Sequence, residues 1–152
     1  MSLPGRIPGA VWAGFYTLSH DLRGCAAEIT VLRVPDEIEA VAYVGVSPAG
    51  SAAAALPVVR VYEQDGEIHF FDTVSGSETS AMFLPEIQSW RLVFEDDTVR
   101  GEIFVDEHWS PLGDAPMPAF VETAEIDFGA RSDAPLAMSD LFIVDAFAST
   151  DP

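Results

Sequence analysis

Around the Asp65-Gly66 pair, an arginine, a tyrosine and a histidine fall at alternating positions in the stretch "LPVVRVYEQDGEIHFFDTV". Asp-Gly is a strong hairpin signal, because both central residues of a type I′ turn need positive φ. A two-residue turn there pairs Gln64 with Glu67, Tyr62 with His69 and Arg60 with Phe71 on one face. The other face then pairs Glu63 with Ile68, Val61 with Phe70 and Val59 with Asp72. Tyr62 opposite His69 offers a general acid/base pair, since imidazole titrates near neutral pH. Arg60 and Phe71 add a charge and an aromatic wall beside them. Trp90 and Phe94, from the following hairpin, would complete a binding pocket of the composition that takes small, mostly apolar molecules. The plain alternative is a sheet exterior on which Tyr62 and His69 merely pack across strands.

Other chemistries fail on spacing or on missing partners. Asp127-Phe128-Gly129 spells the metal-binding triplet of protein kinases, but the chain has no glycine-rich loop, no strand lysine and no His-Arg-Asp loop. Glu125 and Asp127 resemble the start of a Glu-x-Asp-x-x-Glu strand of some glycan hydrolases. Position 130 is alanine, so the acid/base partner is missing. The same segment reads more simply as an amphipathic strand with Glu125 and Asp127 toward water. Glu67 with His69, and Asp106 with His108, alternate as strand-borne metal ligands would, yet no His-x-His spacing occurs; neither metal nor cofactor is expected. No Gly-x-Ser-x-Gly elbow is present, and the alanines after Cys25 suit a structural thiol. His20, Asp21 and Arg23 interrupt the apolar run that a lipobox at Cys25 would need.

The charge excludes further classes. The chain has 152 residues and a formal net charge of −18, from 25 acidic residues against 7 arginines and no lysine. Walker A loops and Schiff-base lysines are therefore ruled out. Residues 61–152 carry twenty acids and three arginines, a net of −17, while residues 1–60 are nearly balanced. Such a surface repels phosphate backbones, so no nucleic-acid partner is expected. No stretch approaches the roughly 20 apolar residues of a membrane helix, so no membrane is expected and the location reads as cytoplasmic. The acidity also fits a surface that meets a basic protein.

Period-2 alternation dominates the elements that must position these residues. A second hairpin over "SWRLVFEDDTVRGEIFVDEHW" places Phe94 opposite Val99, Leu92 opposite Gly101 and Trp90 opposite Ile103, with Arg91 opposite Glu102. Further strands are predicted in "CAAEITVLRV", "EAVAYVGV", "AFVETAEIDF", "DLFIVDAF" and "VWAGFYTL". Three segments read as loops: "SLPGRIPG", "SPAGSAAAALP" and "SPLGDAPMP". The expectation is one all-β domain over residues 1–152, an antiparallel β-barrel of about eight strands, with a two-sheet β-sandwich as the alternative. A barrel is preferred because no run resembles a polar edge strand. Two functions follow. In one, the lumen encloses an apolar or amphipathic small molecule, as a carrier or as a cofactor-independent cyclase or isomerase that works by positioning. In the other, an acidic interaction protein (immunity protein, chaperone or structural subunit) binds a basic partner. A homodimer is left open.

Overall fold

The computed structural model describes residues 11–33, 40–51, 57–84, 87–132 and 143–149. These residues form eleven antiparallel strands and one short 3-10 turn, Val121–Thr123. The first five strands are β1 (Val11–Tyr16), β2 (Cys25–Arg33), β3 (Ala40–Pro48), β4 (Val59–Gln64) and β5 (Glu67–Asp72). The next are β6 (Glu78–Met82), β7 (Ser89–Glu95) and β8 (Thr98–Val105). β9 (His108–Pro116), β10 (Ala124–Ser132) and β11 (Ile143–Ser149) complete them. Among them no helix is long and apolar enough to cross a membrane.

Both hairpins adopt the register that their turn residues dictate. Asp65 and Gly66 take φ of 55° and 77°, and Tyr62 faces His69 across β4 and β5. Trp90 faces Ile103 and Arg91 faces Glu102 across β7 and β8. The two hairpins, however, enter different sheets. One sheet has the order β1-β10-β3-β4-β5-β6 and the other β11-β2-β7-β8-β9. The described strands thus form the two-sheet sandwich and not the preferred closed barrel. At one side β6 lies against β9 with no ladder joining them. Alternation alone cannot separate the two architectures, because each gives every strand one inner and one outer face.

Two strands fall where none was predicted. β6 is short and polar, with few β-branched residues. β9 occupies most of the segment read as the loop "SPLGDAPMP", and it tolerates Pro111 and Pro116 because it is the last strand of its sheet. The turn leading into it, Asp106-Glu107, has positive φ at both positions without a glycine. Of the other two predicted loops, residues 2–9 lie outside the described residues, as do residues 52–56 of "SPAGSAAAALP".

The inner faces meet in one apolar core that includes Val44, Val46, Val61, Ile68 and Phe70 from one sheet, and Ile29, Trp90, Leu92, Phe94 and Val99 from the other. Phe70 locks the two layers together. Gly101 and Gly113 are cross-strand partners on β8 and β9. A Cβ on Gly101 would lie 2.5 Å from the Phe70 ring, and one on Gly113 would lie 2.9 Å from it. Only two glycines in register leave room for that ring, so Gly101 is needed for close packing as well as for the ladder shift beside it.

Glu63 shares the inner face of β4 and is 4% exposed. Its Oε1 accepts the Gly66 N–H at 3.3 Å, while Oε2 is buried with no hydrogen-bond partner. Burial pushes its pKa up, Asp65 adds to the rise, and the Gly66 hydrogen bond opposes it. A folded carboxyl with a raised pKa holds its proton longer than the unfolded chain does. Stability therefore falls as pH rises from the ordinary glutamate value through the raised folded value. Glu63→Gln removes this decline. The stability of Glu63→Gln minus that of the parent is expected to grow steadily as pH rises across this window. Urea unfolding at several pH values measures it; a difference that stays constant with pH would refute the assignment.

Candidate functional site

Register places chemistry-bearing residues in two rows on the outer face of the six-stranded sheet, the face turned away from the other layer. One row runs Tyr16, Asp127, Gly45, Arg60, Phe71 and Glu78 across β1, β10, β3, β4, β5 and β6. The adjacent row holds Gly129, Tyr43, Tyr62, His69 and Ser80. Strand alternation puts all of them on one side. Tyr43 lies over Gly129, where an added Cβ would sit 2.6 Å from the tyrosine hydroxyl. Val41, Tyr43 and Tyr62, with Phe71 packed against them, make a small apolar cluster separate from the core.

Arg60, Tyr62, His69 and Phe71 come together as one group. The Tyr62 and His69 rings stack with centroids 4.8 Å apart and planes 11° from parallel. The Arg60 guanidinium lies 4.6 Å from the Phe71 centroid and 5.2 Å from that of Tyr62. Its Nη1 donates to the Pro57 carbonyl at 2.7 Å, but its buried Nε has no acceptor. His69 has a carboxylate on each side: Nε2 is 3.6 Å from Glu67 and Nδ1 is 3.5 Å from Glu78. These are ion-pair distances for a charged imidazole, and Nδ1 makes no hydrogen bond in the protein. Burial pushes the Tyr62 hydroxyl pKa up, Glu78 adds to the rise and Arg60 opposes it. Tyr62 is therefore a proton donor at neutral pH, not a base.

Trp90 and Phe94 are not part of this group. They belong to the five-stranded sheet and point inward, with Trp90 0% exposed and Phe94 1%. Once Arg91 turns outward to meet Glu102, alternation forces Trp90 in. These side chains pack with Phe70 in the core between the sheets, whereas Arg60, Tyr62, His69 and Phe71 stand on the outer face.

Three residues of the site were not foreseen. Tyr43 was hidden in an apolar run, Glu78 sits in an unpredicted strand, and Asp127 was expected to face water. Asp127 is 4% exposed; burial pushes its pKa up, Glu125 adds to the rise and a hydrogen bond with Ser47 opposes it. Its neighbour Glu125 accepts the Gly50 N–H at 3.0 Å, while its Oε2 is buried without a partner.

No protein-family model and no curated protein matches the chain. Solved structures resemble it over most of its length at low identity. Sheep galectin-11, in complex with glycerol, is 12% identical over 93% of this chain and 99% of its own, with a TM-score of 0.47. Toad ovary galectin, in complex with thio-digalactose, is 10% identical over 93% of this chain and 100% of its own, also at 0.47. The alginate lyase AlgAT5, of polysaccharide lyase family 7, is 8% identical over 90% of this chain and 63% of its own, at 0.46. Likeness of this extent establishes neither family nor ligand.

Proposed function

We propose that the outer face of the six-stranded sheet binds a small neutral amphipathic molecule between the Arg60–Phe71 and Tyr62–His69 pairs. One observation carries the reading. In a chain of net charge −18, Arg23 pairs with Asp21 and Glu122, Arg91 with Glu102, and Arg100 with Glu95 and Glu102. Arg60, among the described residues, has no carboxylate within 4.0 Å and is held over two aromatic rings instead, with Nε unpartnered. Held to the Pro57 carbonyl and beside the Tyr62 hydroxyl, with Glu78 acting only at longer range, this arginine presents a charge framed by aromatic rings and not a closed ion pair. The aromatic rings supply flat apolar contact, and the surrounding carboxylates disfavour anions. Polar edges of the ligand would meet the Arg60 guanidinium and the Tyr62 hydroxyl. Carrier or positioning enzyme both fit such a site, and an acid/base step would use Tyr62 as the donor.

NMR titration of the His69 and Tyr62 ring signals tests this with three probes: a neutral aryl glycoside, benzyltrimethylammonium and benzoate. Saturable shifts are expected with the aryl glycoside and not with the two charged probes. Phe71→Ala should weaken binding about tenfold, the loss of one aromatic contact. Absence of saturation with the aryl glycoside, or affinity unchanged in Phe71→Ala, would overturn the reading.

A further inference from the structure

The two sheet edges on one side of the sandwich are built differently. β9 carries Pro111 and Pro116 and a ladder irregularity beside Gly101, devices that blunt an edge. β6, which lies against it, has none of them. Its sequence is Glu-Thr-Ser-Ala-Met, without proline or a positive charge, and it is the outermost strand of its sheet. Glu78, Thr79, Ser80 and Met82 are exposed, Met82 at 72%.

The direction of its free backbone groups follows from the ladder. Ser77 C=O accepts the Asp72 N–H at 3.0 Å, and Phe83 N–H donates to the Gly66 carbonyl at 2.9 Å. Backbone groups alternate sides along a strand, so Thr79 and Ala81 also point toward β5. Glu78, Ser80 and Met82 therefore turn their N–H and C=O groups outward, where no described strand pairs with them. Next to this edge on the outer face stand the carboxylates of Glu67 and Glu78.

We propose that β6 is a docking edge for an extended basic segment of a partner protein, which adds as a seventh strand to the six-stranded sheet. Main-chain bonds to Glu78, Ser80 and Met82 supply affinity, as in strand addition generally. Lysine or arginine side chains on the outer face meet Glu67 and Glu78. Charge selects the occupant: a second copy of this chain would bring −18 against −18, whereas a basic strand is attracted. The inference goes beyond the small-molecule site and does not rest on it.

The test uses the whole chain and a peptide of about nine alternating lysine and valine residues, long enough to span one strand. Amide hydrogen exchange should slow at least about tenfold at Ser80 and Met82 when the peptide is bound. A glutamate–valine peptide of the same length should give no protection. Ser80→Pro removes one outward N–H at an edge position where proline is tolerated, and should abolish binding with the NMR spectrum otherwise retained. Glu78→Lys, which leaves the backbone donors intact, should weaken binding about tenfold. Equal protection by the acidic peptide, binding that survives Ser80→Pro in a folded protein, or protection that appears instead through self-association at higher protein concentration would each overturn the proposal. Phe71→Ala should leave peptide binding unchanged, so failure here and failure of the small-molecule reading can be told apart.

Discussion

Trp90→Ala is expected to lower the unfolding free energy by about 3–5 kcal/mol, the cost of emptying a core aromatic site. Trp90 is fully buried, and it packs in the same apolar cluster as Phe70, Phe94 and Ile103. Its immediate surroundings cannot collapse into the space, because strand pairing on both sides, with Ile29 and Ile103, fixes the backbone. Trp90→Phe separates volume from polarity. The indole Nε1 is buried without a hydrogen-bond partner, so phenylalanine loses some contact but also removes an unsatisfied donor. Its cost should be about 1 kcal/mol. Denaturant unfolding with an unchanged m-value measures both. The same pair of variants tests where the ligand binds. At a temperature where Trp90→Phe is folded, its affinity for the aryl glycoside should equal that of the parent. A loss of affinity in Trp90→Phe without a loss of stability would return the site to the interior.

This division between interior and outer face marks the limit of what was legible in the sequence. Hairpin registers are local: Asp65-Gly66 and Asp96-Asp97 each fix the pairing of the residues that flank them, and both pairings appear in the structure. All-β architecture was equally plain from the alternation. Which face of a hairpin points inward is not local. Both faces of the β4–β5 hairpin carry large apolar groups, Tyr62 and Phe71 on one side and Val61 and Phe70 on the other. Only the second layer decides between them, by offering Gly101 and Gly113 to Phe70. Nor could the neighbours of β4 be read. β3 brings Tyr43 beside Tyr62, and β10 brings Asp127 into the row of Arg60, through pairings between residues distant in sequence. The acidic excess was legible as a total, but its arrangement was not. Arg91 and Arg100 look in sequence no different from Arg60; the structure pairs them directly with carboxylates and sets Arg60 over aromatic rings instead.

That contrast makes Glu102 the second residue whose loss should be felt strongly. It sits on the outer face of the five-stranded sheet at 6% exposure, between two arginines. Its Oε2 accepts Arg91 Nε at 2.8 Å and Nη2 at 2.7 Å, and its Oε1 accepts Arg100 Nε at 2.7 Å. Arg91 also lies 4.2 Å from the Trp109 ring centroid, and Arg100 reaches Glu95 at 3.2 Å. Glu102→Ala would leave Arg91 with only the more distant carboxylate of its cross-strand partner Glu28, and Arg100 with Glu95. The expected cost is about 2 kcal/mol, since the shared carboxylate is the main partner of both guanidinium groups and its loss leaves each under-compensated. Glu102→Leu combined with Arg91→Leu should cost less than Glu102→Leu alone, because the double change removes the stranded charge as well as its partner. Partial exposure of Arg100 predicts that some of the loss is recovered in about 0.5 M salt, but not most of it. A loss below about 1 kcal/mol, or one that disappears in salt, would place Glu102 among ordinary surface ion pairs. It would also remove the ground for treating Arg60 as distinct, since arginines that gain little from a carboxylate have no reason to be paired in one sheet and left unpaired in the other.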